Sequence, residues 1–145
     1  MCYHLLEEDT KMIGIAICTH SDFAQGLCNA VEMIAGPQEQ LTALNFMGDI
    51  GLEEYGEQLK KAAEGFSDGC IFVTDLENAT PFNAALMAIA YTDNVILSGA
   101  SMPLMLELVI KRAGEGYTPE SLAREVLQSH CDAVSLKTSR EVFGS

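Results

Sequence analysis

The stretch MIGIAICTHSDFAQGL, residues 12–27, changes its hydrophobic periodicity halfway along, from that of a strand to that of a helix. Its first part, Met12 to Cys18, is a nearly continuous apolar run, which is the pattern of a strand buried on both faces. Apolar residues then recur at helical spacing until Gly36-Pro37 ends the helix. We expect this helix to bury one stripe of side chains, made of Phe23, Leu27, Ala30, Val31 and Ile34. A buried strand that leads into an amphipathic helix is typical of an α/β domain.

The same alternation continues along the chain. Further strands are predicted at TALNF (42–46), CIFVTD (70–75), VILSG (95–99) and AVSLK (133–137), and helices at 52–66, from 80 onward, at 101–113 and at 118–129. The third helix is predicted with Thr80 as its N-cap and Pro81 at its first position, and with a buried stripe of Phe82, Ala85, Leu86 and Ile89. Short connections imply right-handed crossovers, so we expect an open, mainly parallel sheet with helices on both faces.

Length and composition indicate one ordinary domain. The chain has 145 residues, of which 48% are apolar, and they are spread in short runs rather than gathered into a membrane-spanning stretch. Residues 1–11 are polar and acidic and lack the features of a secretory signal, so we expect a cytoplasmic protein. They are interpreted as an extension that precedes a single domain at 12–140.

Charge and cysteine content exclude several classes of function. The net charge is −13, from 21 acidic and 8 basic residues, and this balance argues against a nucleic-acid partner, which requires clustered lysine and arginine. The five cysteines are an odd number without CxxC spacing, so buried thiols are favoured over a disulfide framework or a zinc site.

Polar residues follow two of the predicted strands. Thr19, His20 and Ser21 come after the first, and Asp75 ends the third. In open α/β sheets, ligands bind outside the carboxyl ends of the strands. If strands one and three are neighbours, in an order such as 2-1-3-4, His20 and Asp75 emerge side by side. A carboxylate bonded to one ring nitrogen fixes the tautomer, so the other nitrogen can attack an acyl or phosphoryl group.

A phosphoryl group is favoured by the helix predicted at Thr80-Pro81. Its N-terminus directs backbone N–H groups at the same crevice, and the Thr80 hydroxyl adds a donor. The motifs GxxxxGK[ST], GxGxxG, HExxH and GxSxG are absent from the sequence. The alternative is that these residues are structural. His20 would then be a loop histidine bonded to a nearby carbonyl, Asp75 would only end a strand, and Thr80 would only cap a helix. His4, His130 and a thiol mechanism at Cys18 are weaker candidates.

Three segments together resemble a known family, the IIA components of the mannose-type sugar phosphotransferase system (PTS). They are MIGIAICTHSDFAQGL, VTDLENATPFNAA and SGASMPLMLEL, and the resemblance runs from Met12 to about Lys137. It implies that His20 is phosphorylated by the phosphocarrier protein HPr and passes the group to a IIB component. Asp75 would orient His20, and Thr80 would lie beside the phosphoryl group, with Thr19, Ser21, Asn78 and Ala79 around it.

The resemblance also implies an architecture and partners. Four parallel strands in the order 2-1-3-4 are expected, with AVSLK as an antiparallel edge strand, in a homodimer that exchanges this strand between subunits. The membrane components IIC and IID would take part indirectly. No metal or organic cofactor is expected, because the transferred group is carried covalently. The sugar is not encoded here, since the membrane subunits contact it.

The sequence departs from the family at three places. Ser21 replaces a glycine, Asn78-Ala79 replace a glycine pair, and Ser101 stands where asparagine is common. Glycine permits positive φ angles, which Asn78 tolerates moderately and Ala79 poorly, so we expect either a different loop path or a less open pocket. The altered loops keep a second function open, that of a non-catalytic regulatory IIA-like domain. The phosphotransferase subunit of a dihydroxyacetone kinase also stays open, because its first domain resembles the same family.

Overall fold

The computed structural model describes residues 11–130 and 134–144, and it confirms the predicted alternation of strands and helices. The strands are β1 (Gly14–His20), β2 (Leu41–Phe46), β3 (Cys70–Thr74) and β4 (Val95–Ser98). The helices are α1 (Phe23–Ala35), α2 (Leu52–Glu64), α3 (Thr80–Ile89), α4 (Met102–Lys111), α5 (Pro119–Ser129) and a short α6 (Ser139–Phe143) that the sequence did not predict.

The four strands form one parallel sheet in the order β2-β1-β3-β4, as expected. β1 lies between β2 and β3, where its residue Cys18 pairs with Thr74 and its last residue, His20, pairs with Phe46. His20 therefore belongs to the end of the strand rather than to the loop after it. The carboxyl ends of β1 and β3, which carry His20 and Asp75, are adjacent.

Side chains of β1 alternate between two hydrophobic cores. Ile15 and Ile17 face a core built with α1, α4 and α5. Ala16 and Cys18 face a second core, which contains Tyr55 of α2 and the alanines of α3. The sheet is thus covered on both faces, which is why β1 is apolar along nearly its whole length.

The buried stripes of α1 and α3 differ from the prediction. Phe23 and Ile34 of α1 are 44% and 66% exposed, and Leu86 of α3 is 46% exposed. The helices instead bury small residues beside larger ones: Ala24, Leu27, Cys28 and Val31 in α1, and Pro81, Ala84, Ala85 and Ala88 in α3. Small side chains let a helix approach its neighbours closely, and a pattern weighted by large apolar residues does not detect this.

The predicted C-terminal edge strand is not formed in the described part of the chain. Residues 134–137 belong to no strand, and Val134 and Leu136 are 94% and 78% exposed. An edge strand forms only where a neighbouring strand accepts and donates its backbone hydrogen bonds. A sequence with high strand propensity does not by itself provide that neighbour. Ala133 and residues 1–10 of the predicted extension lie outside the described residues.

Arg112, at the end of α4, joins the amino ends of β1 and β2. Its guanidinium donates hydrogen bonds to the carbonyl oxygens of Ile13 (3.0 Å), Gln40 (3.0 Å) and Glu39 (2.6 Å) and to Oε1 of Gln38 (3.1 Å). Burial lowers the pKa of Arg112 to about 10, which leaves it cationic at neutral pH. It stabilises the edge of the sheet opposite to His20, a role that the sequence analysis missed.

Candidate functional site

His20 and Asp75 are in direct contact at the carboxyl edge of the sheet. Nδ1 of His20 lies 2.9 Å from Oδ2 of Asp75, and the backbone N–H of His20 donates to the same oxygen at 3.1 Å. The other carboxylate oxygen, Oδ1, accepts a hydrogen bond from the backbone N–H of Leu76 at 3.1 Å. Because β1 and β3 are neighbours in register, this contact follows from the strand order.

The contact fixes which ring nitrogen of His20 is nucleophilic. An ionised carboxylate only accepts hydrogen bonds, so Nδ1 carries the proton and donates the hydrogen bond to Asp75. Nε2 then keeps its lone pair. The His20 side chain is 43% exposed, whereas that of Asp75 is 15% exposed, so the ring can reach a partner while the carboxylate stays protected.

Two aromatic residues support the ring of His20. Phe46 contacts it edge to face, with ring centroids 6.3 Å apart, and Tyr55 packs on Phe46 with centroids 5.1 Å apart. Tyr55 is fully buried, and its hydroxyl donates to the carbonyl oxygen of Leu44. The sequence analysis placed Phe46 in a predicted strand and Tyr55 in a predicted helix, and assigned neither of them to the site. Phe46 is the last residue of the second strand, and its place next to the end of the first strand could have indicated a contact with His20.

The loop after Asp75 leads into α3, whose N-terminus is uncapped. Ala79, not Thr80, is the N-cap residue, and it has no side-chain group to bond the first turn. Thr80 is instead the first helical residue, which corrects the predicted capping role. Within the described residues the Thr80 hydroxyl makes no hydrogen bond. The free N–H groups of the first turn and this hydroxyl can therefore bind an anion.

Two of the substituted glycine positions adopt positive φ angles. Ser21 has φ 55° and Asn78 has φ 60°, and both are exposed. Ala79 has φ −112°, so the residue that tolerates the left-handed region poorly is not placed in it. The backbone N–H of Ser21 donates to the carbonyl oxygen of Phe46 at 2.8 Å, which holds this turn against β2.

Thr19 is not brought to the same side as His20. Strand alternation places its side chain on the face of Ile15 and Ile17, toward α1 and α4, whereas His20 follows the opposite face. Thr19 is fully buried, and its Oγ1 has no hydrogen-bond partner in the described part of the chain.

The third sequence motif packs beside Asp75 through Thr74. The carbonyl oxygen of Thr74 accepts hydrogen bonds from the backbone N–H groups of Gly99 (2.8 Å) and Ala100 (3.0 Å). Its hydroxyl donates to Oγ of Ser98 at 3.0 Å. Ser101 then caps α4 by accepting from the N–H of Leu104. These contacts fix the loop after β4 next to the loop that carries Asp75.

Residues 11–130 and 134–144 contain neither a cluster of metal-ligating side chains nor a helix that could span a membrane. No three His, Cys, Asp or Glu side chains of these ranges are grouped so as to hold a metal ion. None of the helices there combines the length and the apolar character of a membrane-spanning segment.

A family model described as "PTS system fructose IIA component", EIIA-man, matches residues 14–126, a range that includes His20, Asp75 and Thr80. The chain belongs to this family of PTS IIA components. IIA components of the mannose, fructose and sorbose type are phosphotransferase components of sugar transport, and the open sheet described above is shared with their solved structures.

Individual relatives support the assignment to the IIA components. The fructose-specific EIIA component of Bacillus subtilis (strain 168) is 30% identical over 129 residues, which are 86% of this chain and 82% of the relative. The mannose-specific EIIAB component of Escherichia coli (strain K12) is 28% identical over 119 residues, and the chain covers 36% of its length. A crystal structure of EIIA from Streptococcus agalactiae superposes with a TM-score of 0.78 at 28% identity, covering 86% of this chain and 97% of that one.

Proposed function

We propose that this IIA component is a cytoplasmic phosphohistidine carrier. His20 accepts a phosphoryl group from phosphorylated HPr and passes it to a IIB component, which supports sugar uptake through the membrane components IIC and IID. One observation carries the proposal: Asp75 bonds Nδ1 of a half-exposed histidine at the carboxyl edge of the sheet, so Nε2 is left free to react.

The transfer balances without a cofactor. The Nε2 lone pair attacks the phosphorus atom, the bond between phosphorus and the donor breaks, and the donor keeps that electron pair. The ring becomes positively charged, and Asp75 stabilises this charge through the Nδ1 proton. In the second step an acceptor group of IIB attacks phosphorus, and the electron pair of the P–N bond returns to Nε2.

The groups that stabilise the phosphoryl oxygens belong to the first turn of α3, which follows the loop after Asp75. The N–H groups of the uncapped first turn and the Thr80 hydroxyl are preorganised donors at the positive end of the helix dipole. The backbone around Ser21, Asn78 and Ala79 completes the rim of this site. The group is held covalently, so neither a metal nor an organic cofactor is needed.

Incubation with radiolabelled phospho-HPr tests the proposal. The wild type should become labelled, His20→Ala should not, and added IIB should remove the label from the wild type. His130→Ala is the matched control, because His130 ends α5 beside Glu107 and lies outside the site. Equal labelling of His20→Ala and wild type would contradict the proposal.

A homodimer is part of the same proposal. The C-terminal segment exposes four large apolar side chains, Val134, Leu136, Val142 and Phe143, and β4 is an edge strand to which a second copy can add a segment. If residues 133–137 were exchanged between subunits, the apolar side chains of this segment and the free edge of β4 would both become buried. Light scattering should give twice the mass of the chain, and a variant truncated after His130 should be monomeric. A monomeric full-length protein would contradict the dimer.

A further inference from the structure

The last described segment, residues 134–144, does not pack on its own chain. All of its residues are exposed, and the apolar side chains at the end of α6, Val142 and Phe143, are 55% and 81% exposed. Within the described part of the chain its hydrogen bonds join residues of the segment itself, as from the Glu141 N–H to Thr138 Oγ1 at 3.1 Å. A segment that leaves large apolar side chains in water indicates a surface that a second molecule covers.

The short helix α6 separates its charges by side. Arg140 and Phe143 are three positions apart and therefore share a face of the helix. Glu141 is two positions from Phe143 and lies on the opposite side. Lys137 comes shortly before the helix, and it and Arg140 are among the only 8 basic residues of the chain. The side of α6 that carries Phe143 is thus both apolar and basic.

A cavity at the amino edge of the sheet has the complementary character. It has a volume of about 570 Å³ and lies where β3, β4 and α5 begin. Val95, Tyr117 and Pro119 give it apolar walls, and the exposed carboxylates of Asp93 and Glu120 lie on its rim. Among the described residues no lysine or arginine lines this cavity. It therefore suits an apolar side chain that is accompanied by a cation.

The acids of the rim differ in their partners. Glu120 is paired with Arg124 of its own helix, with Oε2 of the carboxylate 2.8 Å from Nε of the guanidinium. Asp93 forms no ion pair with the residues that the structure describes. Asp93 is therefore the carboxylate that a cation from outside this chain can pair with.

The proposed exchange of the C-terminal segment leads α6 to this cavity. If residues 133–137 add antiparallel to β4, they run from its carboxyl end to its amino end. β4 has only 4 residues, so the exchanged segment spans it and Lys137 comes to lie near Val95. α6 begins soon afterwards, at Ser139, and therefore starts at the mouth of the cavity.

We propose that α6 docks in this cavity of a second copy of the chain, with Val142 and Phe143 against the apolar walls. Arg140 then faces the carboxylate of Asp93. The inference rests on the proposed dimer and adds to it a contact at the edge of the sheet opposite to His20. Because the exchanged strand tethers α6 beside the cavity, even a weak contact gains the effective concentration of an intramolecular one.

The structure and the charge of the chain select a second copy as the occupant. α6 is exposed on its own chain and does not fill its own cavity. In a two-fold dimer each subunit gives one helix and receives one, so both cavities and both apolar helix ends are covered. With a net charge of −13, two copies repel each other in general, and a basic helix face opposite an acidic rim offsets part of this repulsion.

Tryptophan fluorescence tests the docking, because the chain contains no tryptophan. Phe143→Trp reports on α6, and Val134→Trp reports on the exchanged strand. Quenching by acrylamide is compared between the dimer and the monomer obtained by dilution. We expect both reporters to be shielded in the dimer and exposed in the monomer.

A charge swap tests the cavity itself. Sedimentation measures the Kd of the dimer for Asp93→Lys, for Arg140→Glu and for the two combined. Each single change should raise the Kd about 10-fold at low salt, because the pair occurs twice in a two-fold dimer. The combined variant should return to within about 3-fold of wild type. Asp49→Lys, at an exposed position after β2, is the matched control and should not rescue Arg140→Glu.

Each idea fails with its own result. A monomer at every concentration removes the proposed dimer and this inference with it. A dimer that shields the Val134→Trp reporter but not the Phe143→Trp reporter overturns the docking of α6 alone. Rescue of Arg140→Glu by Asp49→Lys as well as by Asp93→Lys also overturns it. Shielding of the Phe143→Trp reporter in the monomer would place α6 on its own chain and contradict a second copy. Labelling of His20 is a separate measurement, so its failure leaves this test unaffected.

Discussion

One oxygen of Asp75 bonds both the backbone and the ring of His20. Oδ2 accepts from the His20 backbone N–H at 3.1 Å and lies 2.9 Å from Nδ1. The ring is therefore fixed relative to its own strand and not only relative to a neighbouring side chain. Such a two-point contact holds Nε2 in one direction before a partner arrives, which lowers the cost of reaching the transition state.

Asp75→Asn removes the charge from this contact and keeps its shape. We expect the rate of transfer from phospho-HPr to fall by about 100-fold, as is typical when one preorganised electrostatic interaction is lost. The free energy of unfolding should fall by only about 1–3 kcal/mol. Single-turnover labelling and urea unfolding measure the two quantities. Asp68→Asn makes the same change at an exposed position before β3 and should keep the wild-type rate. An undiminished rate of transfer in Asp75→Asn would show that the carboxylate charge is not used.

Thr80→Ala and Thr118→Ala separate a role in transfer from a role in helix capping. Thr118 caps α5, since its Oγ1 accepts from the Ser121 N–H at 3.0 Å, and its loss should cost about 1 kcal/mol of stability without slowing transfer. The Thr80 hydroxyl makes no hydrogen bond to the residues that the structure describes, so Thr80→Ala should keep the wild-type stability. Its rate of transfer should fall roughly 10-fold, which is the value of one hydrogen bond to a charged group. If Thr80→Ala lost stability and kept its rate, the assignment of Thr80 to the phosphoryl site would be wrong.

The parallel strands were predictable from their apolar runs, whereas the strand order that brings His20 and Asp75 together was implied by the resemblance to the family and is confirmed by the structure. Apolar runs mark the parallel strands, and the carboxyl ends of neighbouring parallel strands lie at one edge. What the sequence did not show depends on side-chain direction. The alternation that turns Thr19 away from His20 becomes known only once the register is fixed.

Helix faces and the C-terminus were less predictable for a related reason. α3 packs through Ala84, Ala85 and Ala88, and alanine carries little hydrophobic signal even where close packing requires it. Residues 134–137 have a strand-like composition, but a strand forms only where another strand offers hydrogen bonds. The same composition is therefore compatible with the exposed segment observed here.

Ser21 holds a positive φ angle of 55°, where a Cβ atom is unfavourable. Ser21→Gly should raise the free energy of unfolding by about 1 kcal/mol, the approximate cost of a left-handed conformation in a residue with a side chain. Ser21→Ala keeps the Cβ atom and removes the hydroxyl, so it should show no such gain. Urea unfolding compares the three proteins. Equal stabilities of Ser21→Gly and Ser21→Ala would show that the strain is absent.

Alkaline pH should destabilise the protein through its buried thiols. Cys18, Cys28 and Cys70 are free and buried, and burial raises the pKa of Cys28 to about 11 and that of Cys70 to about 12. An unfolded thiol titrates near pH 9, so above that pH the unfolded state loses protons that the folded state retains. The free energy of unfolding should therefore fall as the pH rises from about 9 to about 11.

Urea unfolding at pH 7.5 and 10.5 measures this alkaline loss. Cys28→Ala should reduce the difference between the two pH values, because it removes one of the titrating groups. The loss of packing in this variant acts equally at both pH values, so the difference isolates the titration. An unchanged difference in Cys28→Ala would contradict the link between burial and pH dependence.

The proposed transfer predicts which ring nitrogen of His20 is phosphorylated. After transfer from phospho-HPr, nitrogen-15 and phosphorus-31 NMR identify which ring nitrogen carries the phosphoryl group. The Nδ1 contact with Asp75 predicts a phosphoryl group on Nε2, with the Nδ1 proton retained. A phosphoryl group on Nδ1, or none on His20 at all, would contradict the account.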